Sequence, residues 1–405
     1  MQRDTWALIG RDGVVDGVLL HLADPTCDGV LLVGQSGVGT TRVLDAVHAR
    51  CITHRRLASR VVGSQATHGT RFGALSHVLP GELSTGDAPL DQLDLFQRMR
   101  DLIGAPRTAA HRLVVCVDDL RWLDEASLGL LTQLLAAKLA TLVGTIHDDD
   151  VLPAAVVTIE RSCTIRRVDV PPLTHEQTTA LITSALAGPV DGTTAHTLAE
   201  HCQGNPLFLA EIIDGSIASG ALSTVLGTWT LRGTPVVTAR LSRLLDARLE
   251  RLDEEGRALV ELLSFAEPVA LDSLEAAGLL RTALALESAG FLASDGADAT
   301  KVRLAQPLVA AQVRSRTSPL SRRSLLPRAI ELVVPTATEA DAVRLALWRM
   351  ECGLPVTAAE LEGAAAVARS RNDFDTTEVL TSAAARLKPS LTTLLLQAEA
   401  LHDLC

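Results

Sequence analysis

Lysine is almost missing from this 405-residue chain: Lys138, Lys301 and Lys388 are the only three. Arginine carries nearly all of the positive charge, a bias that fits a GC-rich coding sequence. Seven cysteines, Cys27, Cys51, Cys116, Cys163, Cys202, Cys352 and Cys405, include no pair at CxxC spacing. Neither a zinc site nor a disulfide framework is indicated, and reduced, buried thiols are expected. No apolar run is long enough to span a membrane, and no charged-then-apolar leader opens the chain, so a cytoplasmic protein is expected. The formal net charge is −11, which argues against a non-specific nucleic-acid binder. Trp6, Trp122, Trp229 and Trp348 lie too far apart to form a stacking platform and read as packing residues.

The length allows two to four domains, and 47% hydrophobic residues suffice for a large core. Up to about residue 170, short apolar runs at 30–34, 59–63, 113–118, 139–146 and 163–170 alternate with helical patterns. That alternation predicts an α/β domain with a parallel sheet covered by helices. After Pro171-Pro172 the texture becomes helical, broken at Gly188-Pro189, Gly204-Asn205-Pro206, Gly233-Thr234-Pro235, Pro268, Gly290, Pro307, Pro319, Pro335 and Pro355. An extended pair is expected at Phe291–Ala293 and Val302–Leu304 across the polar turn SDGADATK, as in a winged-helix unit. From about residue 337 the pattern is that of helix pairs with small residues at their contacts. It stops inside an apparently helical stretch at Cys405, which reads as a truncated array. The expected domains are a nucleotide-binding domain over 1–172, an all-α lid over 173–234, a winged-helix domain over 235–335 and TPR-like repeats over 336–405.

What is present is a phosphate-cradling turn. Val30 to Val33 lead into Gly34-Gln35-Ser36-Gly37-Val38-Gly39, followed by an amphipathic helix through Thr41, Val43, Leu44 and Val47. The spacing is that of G-x-x-x-x-G-K-[ST], with Thr40 in the place of the lysine. Glycines let the backbone bring its N–H groups close to phosphate oxygens, and the helix N-terminus adds a favourable dipole. Thr41 stands where a hydroxyl would hold Mg²⁺. Drift in a GC-rich gene would have favoured arginine at position 40, not threonine.

A second anchor is LVVCVDDLRWLDEAS, residues 113–127, which places Asp118 and Asp119 at the carboxyl end of an apolar strand. Alone, such a pair ends a strand and caps the next helix. Paired with the glycine loop, it reads as one acid for Mg²⁺ and one to polarise an attacking water. His175, His196 and His201 have no metal-ligand spacing, and Asp148-Asp149-Asp150 reads as a solvated loop.

With these residues in place, the chain resembles the large ATP-binding regulators of the LuxR family, a STAND-class branch of P-loop ATPases related to AAA+ proteins. The resemblance runs along nearly the whole chain. It is carried by Leu8-Ile9-Gly10-Arg11-Asp12, VLLVGQSGVGTTRVL, RFGALSHVLP at 71–80 and VDDLRWLDEAS. It continues with PLTHEQTTAL at 172–181, AEHCQGNPLFLAEI at 199–212, ARLSRLLDARLERLDEEGRALVELLSF at 239–265 and VRLAQPLVAAQV at 302–313. The resemblance implies a switch that ADP holds closed and that an inducer and ATP open, with ligand-dependent homo-oligomerisation. An inducer, a small molecule or a protein, would bind the helical repeats, and DNA would be read by a helix-turn-helix that this chain does not contain. It implies that Gly34, Gly37, Val38, Gly39, Thr40, Thr41 and Arg42 hold the nucleotide phosphates. Arg11 would lie near the base, and Pro206 would touch the adenine. Thr41 and Asp118 would serve Mg²⁺ and Asp119 would activate water.

Three departures remove positive charge near the phosphates: Thr40 for the lysine, His147 where relatives have a sensor arginine, and Gln306 where many carry a histidine. One charge-assisted contact is worth roughly 1.5–3 kcal/mol, so each loss weakens binding about ten- to a hundredfold. The expectation is an ATP/ADP-binding signalling module with weak hydrolysis or none. Two alternatives stand beside it: a pseudo-ATPase interaction scaffold, and the sensor module of another multidomain signalling protein. No DNA binding by this chain alone and no membrane attachment are expected.

Overall fold

The structure, a computed structural model, describes residues 6–75, 92–103, 112–148, 152–295, 298–334, 337–338, 341–371 and 373–404. Residues 76–80 of RFGALSHVLP, Asp149, Asp150, Pro335 and Cys405 lie outside them. The chain divides into two compact units, one ending at Thr238 and the other beginning at Ala239.

In the first unit, α1 (Asp12–Ala23), β1 (Gly29–Gly34), α2 (Thr40–Thr53), β2 (Ala58–Val62), α3 (Gln65–His68) and α4 (Gln92–Ile103) come first. Then follow β3 (Leu113–Asp118), α5 (Glu125–Ala136), β4 (Ala140–His147), α6 (Ala154–Ser162) and β5 (Ile165–Asp169). The five strands form one parallel sheet in the order β2-β3-β4-β1-β5. Side chains alternate across it. Val30 and Leu32, with Val114, Cys116 and Val143, face Val18 and Leu22 of α1 and Val43, Leu44 and Val47 of α2. Leu31, Val115, Val117 and Leu142 face Leu128, Leu131 and Leu135 of α5 and Ile159 of α6. Burial on both faces is why the central strands β1, β3 and β4 read as apolar runs, while the edge strands β2 and β5 carry Ser59, Arg60, Arg166 and Arg167. Register then sets the site: Gly34 lies beside His147, and Val62 beside Asp118. The carboxyl ends of β1 to β4 therefore share one edge.

The opposite edge is closed by a charge network. Asp28, buried just before β1, accepts the Thr164 N–H at 3.0 Å and pairs with Arg112 at 3.6 Å and with Lys138. Arg112, itself buried, also donates to the carbonyls of Cys27 and Pro25. The starts of β1, β3, β4 and β5 are tied at this one carboxylate.

Beyond the sheet come α7 (His175–Leu186), α8 (Gly192–Cys202) and α9 (Pro206–Ala218), then β6 (Leu222–Val225) and β7 (Thr228–Leu231). Thr174 and Gln177 form a capping box on α7. The antiparallel β6–β7 hairpin corrects the expectation of an all-α lid. Its physical cause is local. Ser-Thr-Val and Thr-Trp-Thr favour extended backbone, and Leu226 and Gly227 both take positive φ (50° and 82°), which closes a two-residue turn.

The second unit contains α10 (Ala239–Leu249), α11 (Glu254–Ala266), β8 (Val269–Ala270), α12 (Leu271–Ala276), α13 (Leu280–Ser288), β9 (Leu292–Asp295) and β10 (Asp298–Leu304). It continues with α14 (Pro307–Arg316), α15 (Pro319–Val333), α16 (Ala342–Cys352), α17 (Ala358–Ser370), α18 (Phe374–Leu387) and α19 (Leu391–Leu404). The β9–β10 pair is antiparallel, with Arg303 opposite Ala293 and Leu304 opposite Leu292, and β8 adds to β10. In α17, Ala364, Ala365 and Ala368 pack with Leu380 and Ala384 of α18, small residues that let the helices approach closely. Trp348 is buried on α16.

Six described cysteines are free: Cys27, Cys51, Cys116 and Cys202 are buried, while Cys163 and Cys352 are partly exposed. Burial pushes the Cys116 thiol up to about 12 and that of Cys202 up to about 11. Among the described residues no helix is long and apolar enough to cross a membrane, and no group of three or more His, Cys, Asp or Glu is placed to hold a metal.

Two stability outcomes follow from this packing. Asp28→Ala strands the Arg112 charge and should cost about 3–5 kcal/mol. Lys138→Ala, at a half-exposed partner, should cost under about 1 kcal/mol. Urea denaturation of the three proteins checks the ranking, which fails if the two losses are equal. Glu267 accepts the Leu304 N–H at 2.7 Å, and burial raises its carboxyl above the ordinary value. A raised carboxyl binds protons more tightly folded than unfolded. Its contribution is thus full below the unfolded value and is lost as pH rises through the folded one. Glu267→Gln should match wild type in thermal melts near pH 4 and exceed it at pH 7; a constant offset across that range would refute the assignment.

Candidate functional site

The glycine turn has the shape its sequence demands. Val38 N–H closes it onto the Gln35 carbonyl at 3.0 Å, and Gly37 and Gly39 take φ of +84° and +104°, which side chains resist. A Cβ on Gly34 would stand 2.8 Å from Val38 Cγ1 and 2.9 Å from the Val170 carbonyl. Gly39 is the N-cap of α2 and supplies no side-chain cap. The first N–H groups of α2 are therefore left without helical partners, at the positive end of its dipole. Such a turn, with its donors uncommitted, fits a phosphate. Thr40 is buried, at 3% exposure, and its methyl packs towards Gly34.

Thr41 reaches the other way. Its hydroxyl donates to Asp118 Oδ1 at 3.1 Å, joining the helix start to the end of β3. Thr145 on β4 donates to the same oxygen at 2.8 Å and accepts the Asp119 N–H at 2.8 Å. Arg60 on β2 donates to Asp118 Oδ2 at 3.0 Å and to Asp45 Oδ1 on α2 at 2.8 Å. Asp119 sits at φ +54°, an uncommon conformation for aspartate, fixed by the Thr145 bond. Its carboxylate lies 3.3 Å from His147 Nε2, and the interaction with that imidazole holds it below the ordinary value. Asp119 is therefore a carboxylate at neutral pH, as an acceptor for a water proton must be.

The Gly204-Asn205-Pro206 turn docks onto the loop. Asn205 caps α9 by accepting the N–H groups of Leu207 and Phe208, and its amide donates to the Ser36 carbonyl at 3.0 Å. Leu207 N–H donates to the Gly37 carbonyl at 3.2 Å. A Cβ on Gly37 would meet Leu207 Cβ at 2.6 Å and Asn205 Oδ1 at 2.9 Å, so glycine is also required by the docked Asn205–Leu207 turn. Pro206 occupies the first position of α9. Arg11, buried, donates to the Val38 carbonyl at 3.0 Å, and burial lowers its affinity for a proton. Arg42 donates to the Trp6 carbonyl at 2.8 Å.

The structure thus brings Gly34, Gly37, Val38, Gly39, Thr41, Asp118, Asp119, Arg11 and Pro206 into one neighbourhood, with Thr40 beneath it. Gln306 belongs to the second unit, where it precedes α14 as its N-cap. Sequence reasoning passed over Thr145, Arg60 and Asn205. Thr145 was legible, since it lies two residues before His147 on a strand and shares its face. Arg60 carried no such signal, because its partners Asp45 and Asp118 come from elements far apart in the chain. Thr41 and Asp118 offer the oxygen-donor types that Mg²⁺ takes, but the two are bonded to each other, and Asp118 also accepts from Thr145 and Arg60.

Residues 7–143 match the family described as AAA ATPase domain. No curated protein matches the chain. Among solved structures, RuvB of Thermotoga maritima, titled a Holliday junction branch migration motor, is 16% identical with a TM-score of 0.34, covering 73% of this chain and 92% of its own. The Aeropyrum pernix ORC1 protein, solved in complex with DNA, is 17% identical with a TM-score of 0.39, covering 76% and 93%. The S. cerevisiae Hsp104:casein complex is 14% identical with a TM-score of 0.38, covering 70% and 50%. Likeness at this level says nothing of what this chain binds. The matched stretch contains the glycine loop and the Asp118–Asp119 pair, so the AAA ATPase likeness falls on the part of the first unit that carries the site.

Asn205→Ala removes the cap of α9 and its bond to the glycine loop at once. It should cost about 2 kcal/mol and speed hydrogen exchange across residues 34–39 and 205–209. Unchanged exchange in the loop would show that the turn does not secure it.

Proposed function

We propose that this chain is the ATP/ADP-binding STAND module of a LuxR-family transcriptional regulator, with slow hydrolysis or none. The observation that carries the nucleotide reading is the bond from Thr41 to Asp118 beside an uncapped helix start. In this reading the loop N–H groups bind the phosphates, and Thr41 and Asp118 are the residues that a nucleotide-borne Mg²⁺ would meet. The metal when bound supplies charge neutralisation. Asp119, kept ionised by His147, orients a water and takes its proton. Arg11 and Arg42 border the loop, and Pro206 lies towards the adenine.

Weak hydrolysis is supported by the residue at the lysine position. A lysine would reach the outer phosphates, whereas Thr40 is short, β-branched and buried. The same burial supports a scaffold without turnover as the second reading. We assign residues 1–172 to nucleotide binding, 173–234 to a lid, 235–335 to a winged-helix domain and 336–405 to TPR-like repeats that take the inducer. The module acts in the cytoplasm, binds no DNA by itself, and assembles into homo-oligomers when liganded.

Calorimetric titration of the full chain with ADP and ATP tests the reading. Wild type should bind both. Gly37→Val, which forces a side chain against Leu207, should abolish binding. Thr40→Lys should tighten ATP about tenfold through one charged contact and raise turnover less. No binding by wild type would leave the scaffold as the reading; equal affinities for wild type and Thr40→Lys would mean that position 40 does not face the phosphates.

A further inference from the structure

The carboxylate best placed to serve a metal is already neutralised by the protein. Asp118 has its Oδ1 occupied by the Thr41 and Thr145 hydroxyls and its Oδ2 by the Arg60 guanidinium at 3.0 Å. A carboxylate has about four lone-pair sites, so these three donors leave little room for another ligand. Arg60 is shared with Asp45, but the two pairs are unequal. The Asp45 side chain is 49% exposed and its pairing is screened by water; that of Asp118 is only 13% exposed. Arg60 thus serves both carboxylates, and its pair with Asp118 is the one better shielded from water. A divalent cation approaching Asp118 meets a neutral pair, and Mg²⁺ sheds its waters reluctantly unless anionic oxygens replace them.

We propose that Arg60 is a built-in counter-cation at Asp118, so that the module binds nucleotide almost independently of Mg²⁺. The inference rests on the nucleotide reading above and adds to it a specificity-determining residue. Arg60 sits on β2 opposite Cys116, two residues before Asp118 on the neighbouring strand, and is held from both sides. A fixed strand position and two partners make it a steady charge and not a mobile side chain. With the loop lysine replaced by Thr40, the site then depends for its cations on arginine already in place.

The test is calorimetric titration of the full chain with ADP, in excess Mg²⁺ and in EDTA, for wild type and Arg60→Gln. Wild type should differ by less than about threefold between the two buffers. Arg60→Gln should bind ADP in Mg²⁺ about tenfold more tightly than in EDTA, the effect of one charged contact. A second readout, paramagnetic broadening by Mn²⁺ in the presence of ADP, should show metal held at the protein in the variant and not in wild type. Wild type alone suffices for refutation should the variant fold poorly: tightening of ADP by tenfold or more in Mg²⁺ overturns the inference while leaving the nucleotide reading intact. A folded Arg60→Gln that is as indifferent to Mg²⁺ as wild type also overturns it. Absence of ADP binding in both buffers removes the nucleotide reading, and this inference with it.

Discussion

A peptide unit is planar, so fixing where its carbonyl points fixes its N–H in the opposite direction. The glycine loop depends on that constraint. The carbonyls of Ser36, Gly37 and Val38 are each held by a different donor: the Asn205 amide, the Leu207 N–H and the Arg11 guanidinium. Clamping the Ser36 carbonyl aims the N–H of Gly37, and clamping that of Val38 aims the N–H of Gly39. A turn of glycines has little stiffness of its own. Its shape is supplied by α1 through Arg11 and by α9 through Asn205 and Leu207. The two faces of one turn are thereby divided: its carbonyls serve the protein, and the amides of Gly37 and Gly39 remain for an anion. The docked Asn205–Leu207 turn and an anion do not compete for the same atoms.

A similar division of labour orders the acid edge. Thr145 is the pivot, since one hydroxyl donates to Asp118 and accepts from the Asp119 backbone. That single group sets the position of one carboxylate and the backbone strain of the next. The closely apposed ends of β2, β3 and β4 make this geometry possible, and they are held in register by the apolar faces on both sides of the sheet. Gly63, whose N–H donates to the Asp118 carbonyl at 2.8 Å, lets the chain after β2 pass against the Asp118–Asp119 turn.

Much of this was legible in the sequence, for identifiable reasons. The apolar runs of β1, β3 and β4 mark strands because burial on both sides leaves no polar face to confuse the pattern. The expected run at 113–118 and the strand Leu113–Asp118 coincide. The Asp118-Asp119 pair and the glycine spacing were visible because each is a local signal. The hairpin of β6 and β7 was missed because its strands are four residues each and sit among helices. The contacts of Arg60 and the docking of Asn205 on Ser36 are long-range, and spacing along a chain does not encode them. Position 40 was read as a missing charge; its burial under Gly34 emerges only when β1 and α2 are folded together.

The distribution of thiols has a practical side. Four of the six described free cysteines are buried, two of them with thiols pushed far above neutral pH, which leaves them inert to ordinary alkylating reagents. The two that are partly exposed, Cys163 and Cys352, fall one in each unit. Neither belongs to the glycine loop or the acid edge. Among the described residues these two are a pair of chemically addressable points, one on each unit. Spectroscopic labels there would turn the separation of the two units into a measurable distance.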